Sequence, residues 1–117
     1  MKTINLEQAK KLKQLGFERE SEYNFASSLK HNGNYSSYEL RNSNEIIGFQ
    51  DDKTINAYTL DELGEILKYK EDYLYYSNIQ IKWISKHELS CLIGTGKTQI
   101  EARYNLLVQL IGKGVIS

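Results

Sequence analysis

Gly94-Thr-Gly-Lys-Thr98 is the stretch whose residue types come closest to chemistry, because glycines followed by Lys-Thr end a phosphate-binding loop. Such a loop reads Gly-x-x-x-x-Gly-Lys-Ser/Thr and follows a buried parallel strand, so that consecutive backbone N–H groups wrap the phosphates. Gly96, Lys97 and Thr98 match its end, but Cys91 stands where the first glycine belongs. The strand before it reads as half of an antiparallel hairpin, and no hydrophobic strand ending in aspartate follows to hold magnesium. A simpler reading accounts for all five residues: Gly94 and Gly96 allow a turn, and Thr98 caps a helix. What survives of the chemistry is a weak anion site at the helix N-terminus, formed by Gly96, Lys97 and Thr98.

The other reactive residue types are scattered. His31 and His87 lie far apart in the chain without metal-ligand spacing, and both read as loop or turn residues. Asp51 and Asp52 are adjacent in a turn, where neighbouring carboxylates diverge instead of converging on one ion. Cys91 is the single cysteine, which excludes a disulfide framework and a cysteine-based zinc site and fits a reducing compartment. It alternates with Leu89 and Ile93, so it is expected to point inward as a small core residue. With no nucleophile–base pair, metal cluster or cofactor loop, neither an enzyme nor a cofactor is expected.

A chain of 117 residues supports one domain, taken here as 1–117. Fifteen basic and fifteen acidic side chains cancel, whereas a domain devoted to nucleic-acid phosphates usually carries a basic excess. No apolar run approaches the roughly 18 residues of a membrane helix, and Met1-Lys-Thr-Ile-Asn-Leu-Glu7 lacks the apolar centre of a secretory signal. The expected location is therefore cytoplasmic, with no membrane contact. Nine tyrosines and no proline are the compositional oddities. Tyrosine is favoured in half-buried strands, and it also offers broad contact area at low entropic cost on a binding face.

The elements that must carry these residues are legible from caps and periodicity. Asn5 with Gln8 forms a capping box before an apolar stripe of Leu6, Ala9, Leu12 and Leu15, and Gly16 ends that helix. Phe17, Tyr23 and Phe25 anchor a less regular segment that runs into a loop over residues 27–34. Ser36–Arg41 and Glu45–Gln50 read as a hairpin across Asn42-Ser-Asn44. Thr59-Leu-Asp-Glu62 caps a second helix with Leu60, Leu63, Ile66 and Leu67 on its buried side, fading near Lys68–Lys70. Tyr73–Tyr76 then leads into a strand over residues 79–85, in which Ile79, Ile81 and Trp83 alternate with Gln80 and Lys82. A return strand follows through Leu89, Cys91 and Ile93. The last helix opens on the capping box Thr98–Glu101 and presents Ile100, Tyr104, Leu107 and Ile111, widened by Leu106 and Leu110. Gly112 or Gly114 ends it, and Val115-Ile116 tucks back onto the core. The expected fold is α+β: a two-layer domain with an antiparallel sheet of about four strands, in two hairpins, against three helices.

Three segments carry a resemblance. Leu6-Glu-Gln-Ala-Lys-Lys-Leu-Lys-Gln-Leu-Gly-Phe17, Ala57-Tyr-Thr-Leu-Asp-Glu-Leu63 and Glu101-Ala-Arg-Tyr-Asn-Leu-Leu-Val-Gln-Leu-Ile111 resemble small uncharacterised proteins encoded by phages and prophages, particularly of Bacteroidetes and related gut bacteria. The likeness lies in helix starts and apolar rows. Many such proteins carry a proline before the central Thr-Leu, where this chain has Tyr58. It implies the fold and a mobile-element origin, and no activity.

The leading expectation is thus a non-enzymatic interaction protein of phage or mobile-element origin. It would bind a protein partner through Tyr73, Tyr75, Tyr76 and Trp83, and homodimerisation through an unpaired sheet edge is a related possibility. The first alternative is a nucleic-acid-binding module, with aromatic rings beside Lys68, Lys70 and Lys82 stacking bases. The second is nucleotide or anion binding at Gly94–Thr98.

Overall fold

The computed structural model describes residues 3–28, 30, 32–43 and 53–116. His31, the second expected hairpin strand over residues 45–50 and the Asp51-Asp52 turn lie outside the described residues. The elements run α1 (Leu6–Gln14), β1 (Tyr23–Ser27), β2 (Glu39–Asn42), β3 (Lys53–Asn56), α2 (Leu60–Ile66), β4 (Tyr73–Ser77), β5 (Lys82–His87), β6 (Leu92–Gly96) and α3 (Gln99–Gly112). The described residues form an α+β fold with three helices, but their strands make two three-stranded antiparallel sheets, β2-β1-β3 and β4-β5-β6, not one sheet of four. The molecule is elongated, 52 Å along its longest axis.

Local chemistry sets the helix ends. Asn5 accepts from the Gln8 N–H while the Gln8 side chain accepts from the Asn5 N–H, and Thr59 and Glu62 repeat the exchange at α2. At α3 only the forward bond of the box forms, from the Glu101 N–H to Thr98 Oγ1. Both long helices close with the chain turned left-handed at a glycine. Gly16 (φ 83°) and Phe17 donate to Lys13 O and Leu12 O, and Gly114 (φ 73°) and Val115 donate to Ile111 O and Leu110 O. Ile116 then folds back into the core. The α2 helix stops at Ile66, slightly ahead of the Lys68–Lys70 segment expected to end it.

One continuous core joins the two sheets. It runs from Ile4, Ala9, Leu12 and Phe17 through Ile55 and Tyr58 to Leu63 and Leu67, and on to Leu106, Leu107 and Leu110 of α3. Each such leucine, fully removed from water, contributes roughly 1.5–3 kcal/mol. The N-terminal segment is stitched in by an Ile4 N–H bond to Tyr58 O and a Thr3–Thr59 bridge. The Tyr58 hydroxyl donates to Arg19 O. Burial, aided by the nearby Glu62 carboxylate, pushes the Tyr58 phenol up to about 12.

The first sheet departs most from expectation. β1, within the segment given no regular element, is its middle strand, pairing Phe25 with Leu40 on one side and Ile55 on the other. Polar side chains hold it: Asn24 Nδ2 donates to Ser43 Oγ, which donates to Ser21 O, and Ser27 Oγ donates to Ser36 O.

Candidate interaction surface

The site begins with two glycines that are not in a loop. Gly94 and Gly96 belong to β6 and pair with Ser85 and Trp83 of β5, so both are committed to the sheet ladder. Neither has positive φ. A Cβ at Gly94 would stand 2.2 Å from Ala102 O and from the Leu106 backbone nitrogen. At Gly96 it would stand 2.6 Å from Glu101 side-chain carbons. Their missing side chains let α3 lie directly on β6. This corrects the turn assigned to them: the two glycines are strand residues, and their spacing has a packing cause. Lys97 is exposed, and Thr98 serves as the cap of α3.

The faces of the second sheet follow from this contact. Gly94 and its partner Ser85 face α3, and Ser85 Oγ donates to Glu71, whose carboxylate takes a fork of bonds from Arg103 on α3. Alternation therefore sends Tyr73 and Tyr75 of β4, Lys82, Ile84 and Lys86 of β5, and Ile93 and Thr95 of β6 to the opposite, outer face. No described element packs extensively on that face. Tyr73, Tyr75 and Ile93 are each about half exposed there (52, 46 and 41%). They surround Ile84, which is buried between its cross-strand neighbours Tyr75 and Thr95.

The four aromatic residues expected to share one surface are thus divided. Tyr76 and Trp83 are cross-strand partners on the helix-facing side, with ring centroids 5.6 Å apart in an edge-to-face arrangement. Trp83 there lines a groove of about 300 Å³ with Leu60, Lys97, Thr98, Gln99 and Ile100. That groove brings Trp83 together with Lys97 and Thr98, two sets of residues the sequence treats separately. Tyr73 and Tyr75 are on the other side of the sheet.

Three further corrections concern the hairpins. Ile79 and Ile81 lie in the β4–β5 turn, 94% and 74% exposed, not on an inward strand face, and Ile81 has the left-handed backbone (φ 56°). Cys91, expected inward, is exposed in the β5–β6 turn with φ 58°, beside Leu89 at 91% exposure. The inward set of the return strand is Leu92, Gly94 and Gly96. His87 ends β5 buried, its Nδ1 2.6 Å from Ser90 Oγ, so it pins the turn instead of lying free in it.

The two edges of this sheet differ. Along β6, Asn105 Nδ2 donates to Thr95 O and Gln109 Nε2 to Ile93 O, both at 2.6 Å. Helical amides one turn apart thus occupy carbonyls of that edge strand. Along β4 only β5 packs extensively among the described elements. Sequence reasoning overlooked Ile84, Asn105 and Gln109, and it set Ile93 on the inward side of the return strand, whereas the register turns it to the outer face. For Asn105 and Gln109 the available signal was two amides at i and i+4 flanking the apolar row of the last helix.

Among the described residues no cluster of three His, Cys, Asp or Glu could hold a metal ion. No described helix is long and apolar enough to cross a membrane. Set against protein-family models, curated proteins and solved structures, the chain matches none of them.

Proposed function

We propose that this protein is a non-enzymatic interaction protein that binds a protein partner through the outer face of the β4-β5-β6 sheet. The observation that carries the reading is the uncovered cluster of Tyr73, Tyr75 and Ile93 around Ile84. An antiparallel sheet with one free face ordinarily turns polar side chains to water. Aromatic and aliphatic groups gathered at one exposed site mark contact surfaces. A phage or prophage origin is part of the proposal and rests on the resemblance of residues 6–17, 57–63 and 101–111. The reading is tested by pull-down from a gut-bacterial lysate, with and without nuclease, comparing the natural chain with Ile93→Lys. A nuclease-resistant partner captured by the natural chain and lost with Ile93→Lys, at unchanged thermal midpoint, is the expected result. Equal capture by both chains would remove the face from consideration.

A second reading has its own observation: Lys82 and Lys86 lie on the same face as Tyr73 and Tyr75, an arrangement able to stack bases and meet phosphates. Lys86 is within 3.7 Å of Glu88, which reduces its field. Capture that vanishes with nuclease, together with affinity for single-stranded oligonucleotides that falls steeply with salt, would favour it over a protein partner.

A further inference from the structure

We infer that a second copy of this chain adds to the open edge of β4, antiparallel, merging two three-stranded sheets into one six-stranded sheet across a two-fold axis. The inference concerns the edge of the sheet and stands apart from whatever covers its outer face. The first support is the asymmetry of the edges. An exposed edge offers unpaired N–H and C=O groups, and chains that stay monomeric blunt it with charge, proline, a bulge or a covering element. The β6 edge is blunted, by Asn105 and Gln109. At β4 the strand reads Tyr-Leu-Tyr-Tyr-Ser, with neither a charge nor a proline.

The second support is self-complementarity, which selects a second copy over an unrelated strand. Antiparallel pairing of one strand with itself is two-fold by construction. Keeping each side chain on its own face allows a register with Leu74 on the axis, which sets Tyr73 opposite the partner's Tyr75 and Tyr75 opposite the partner's Tyr73. Shifted by one step along the same face, Tyr75 meets its own copy. Either register opposes aromatic rings on the outer face, and cross-strand aromatic pairs are among the favourable ones. Neither sets a charged side chain of β4 against itself. The chain as a whole carries no net charge, so two copies approach without long-range repulsion.

The test is sedimentation equilibrium of the full chain from low micromolar to near-millimolar concentration, with hydrogen exchange read at the β4 amides. Expected are a reversible monomer–dimer equilibrium and β4 protection that grows with concentration. The double variant Tyr73→Lys/Tyr75→Lys should weaken self-association by tenfold or more, as should Tyr73→Glu/Tyr75→Glu. An equimolar mixture of the two should recover it, since each variant then meets opposite charge across the axis. Ile93→Lys, on the far strand of the same face, should leave it unchanged. A chain that is monomeric at every concentration would overturn the inference. So would a dimer unaffected by the lysine variant, or one whose concentration-dependent protection lies outside β4. If the variants fail to fold, the exchange pattern of the natural chain alone decides.

Discussion

In the second sheet each strand reaches its neighbour through a short turn, residues 78–81 and then 88–91, whereas in the first sheet β1 precedes both strands it lies between. The second sheet is held by close approach and charge: α3 rests on the bare backbone of Gly94, and Arg103 ties α3 to Glu71 beside Ser85. The first is held by small polar side chains bonded to one another and to the backbone around Asn24, Ser27 and Ser43. A chain can therefore build two sheets of equal strand number with different weak points. Damage to the second should be abrupt and geometric, and damage to the first gradual.

Arg103→Ala should have the largest effect. It leaves the Glu71 carboxylate, 11% exposed, without its cation and frees Leu60 O, which accepts from Nη1. Breaking one side of a pair this largely removed from water costs up to about 3–5 kcal/mol, to be read from urea unfolding. Gly94→Ala comes next, at about 3 kcal/mol, because the atoms in the way are helix backbone and cannot rotate aside. Gly112→Ala, where a Cβ meets nothing within 4 Å, is its control and should not destabilise. A loss for Gly94→Ala no larger than for the control would mean that α3 does not rest on β6 as described.

At the junction of the two halves the lever is pH. The Tyr58 phenol titrates near 10 when unfolded and is pushed up to about 12 in the fold, so the folded state holds its proton longer. That contribution is complete below pH 10 and is lost as pH rises through about 12, a difference of at most about 3 kcal/mol. Thermal midpoints across that window should fall more steeply for the natural chain than for Tyr58→Phe. Parallel slopes would assign the alkaline loss to other groups, Tyr104 among them, whose phenol burial also raises. Ser43→Ala is the smallest of the four. It removes one bond from Asn24 and one to Ser21 O in the first sheet, a loss of about 1–2 kcal/mol.

The same contrast explains what the sequence made legible. Helix starts were clear because capping is a local exchange among four residues, as at Asn5–Gln8 and Thr59–Glu62. β1 was not. Its two most buried residues are the adjacent Ala26 and Ser27, so no alternation announces a strand, and its hydroxyl and amide partners lie up to Ser43. In the second sheet the strands were visible but two boundaries slipped. Ile79, Ile81, Leu89 and Cys91 alternate convincingly, yet the chain spends them on turns with Ile81 and Cys91 left-handed. The candidate surface was half legible for the same reason. Tyr73, Tyr75, Tyr76 and Trp83 stood out by type, but their division between two faces depends on which residue turns, which only the pairing register fixes.

The bond from Ile4 to Tyr58 O also bears on the order in which the molecule assembles. Closing the chain between those residues costs more entropy than closing either short turn of the β4-β5-β6 meander, and such closures must precede the contacts that reward them. In a refolding experiment the amides of β5 and β6 should gain protection before those of β1. The first half of the polypeptide would then wait, partly unformed, for the second to give it a surface.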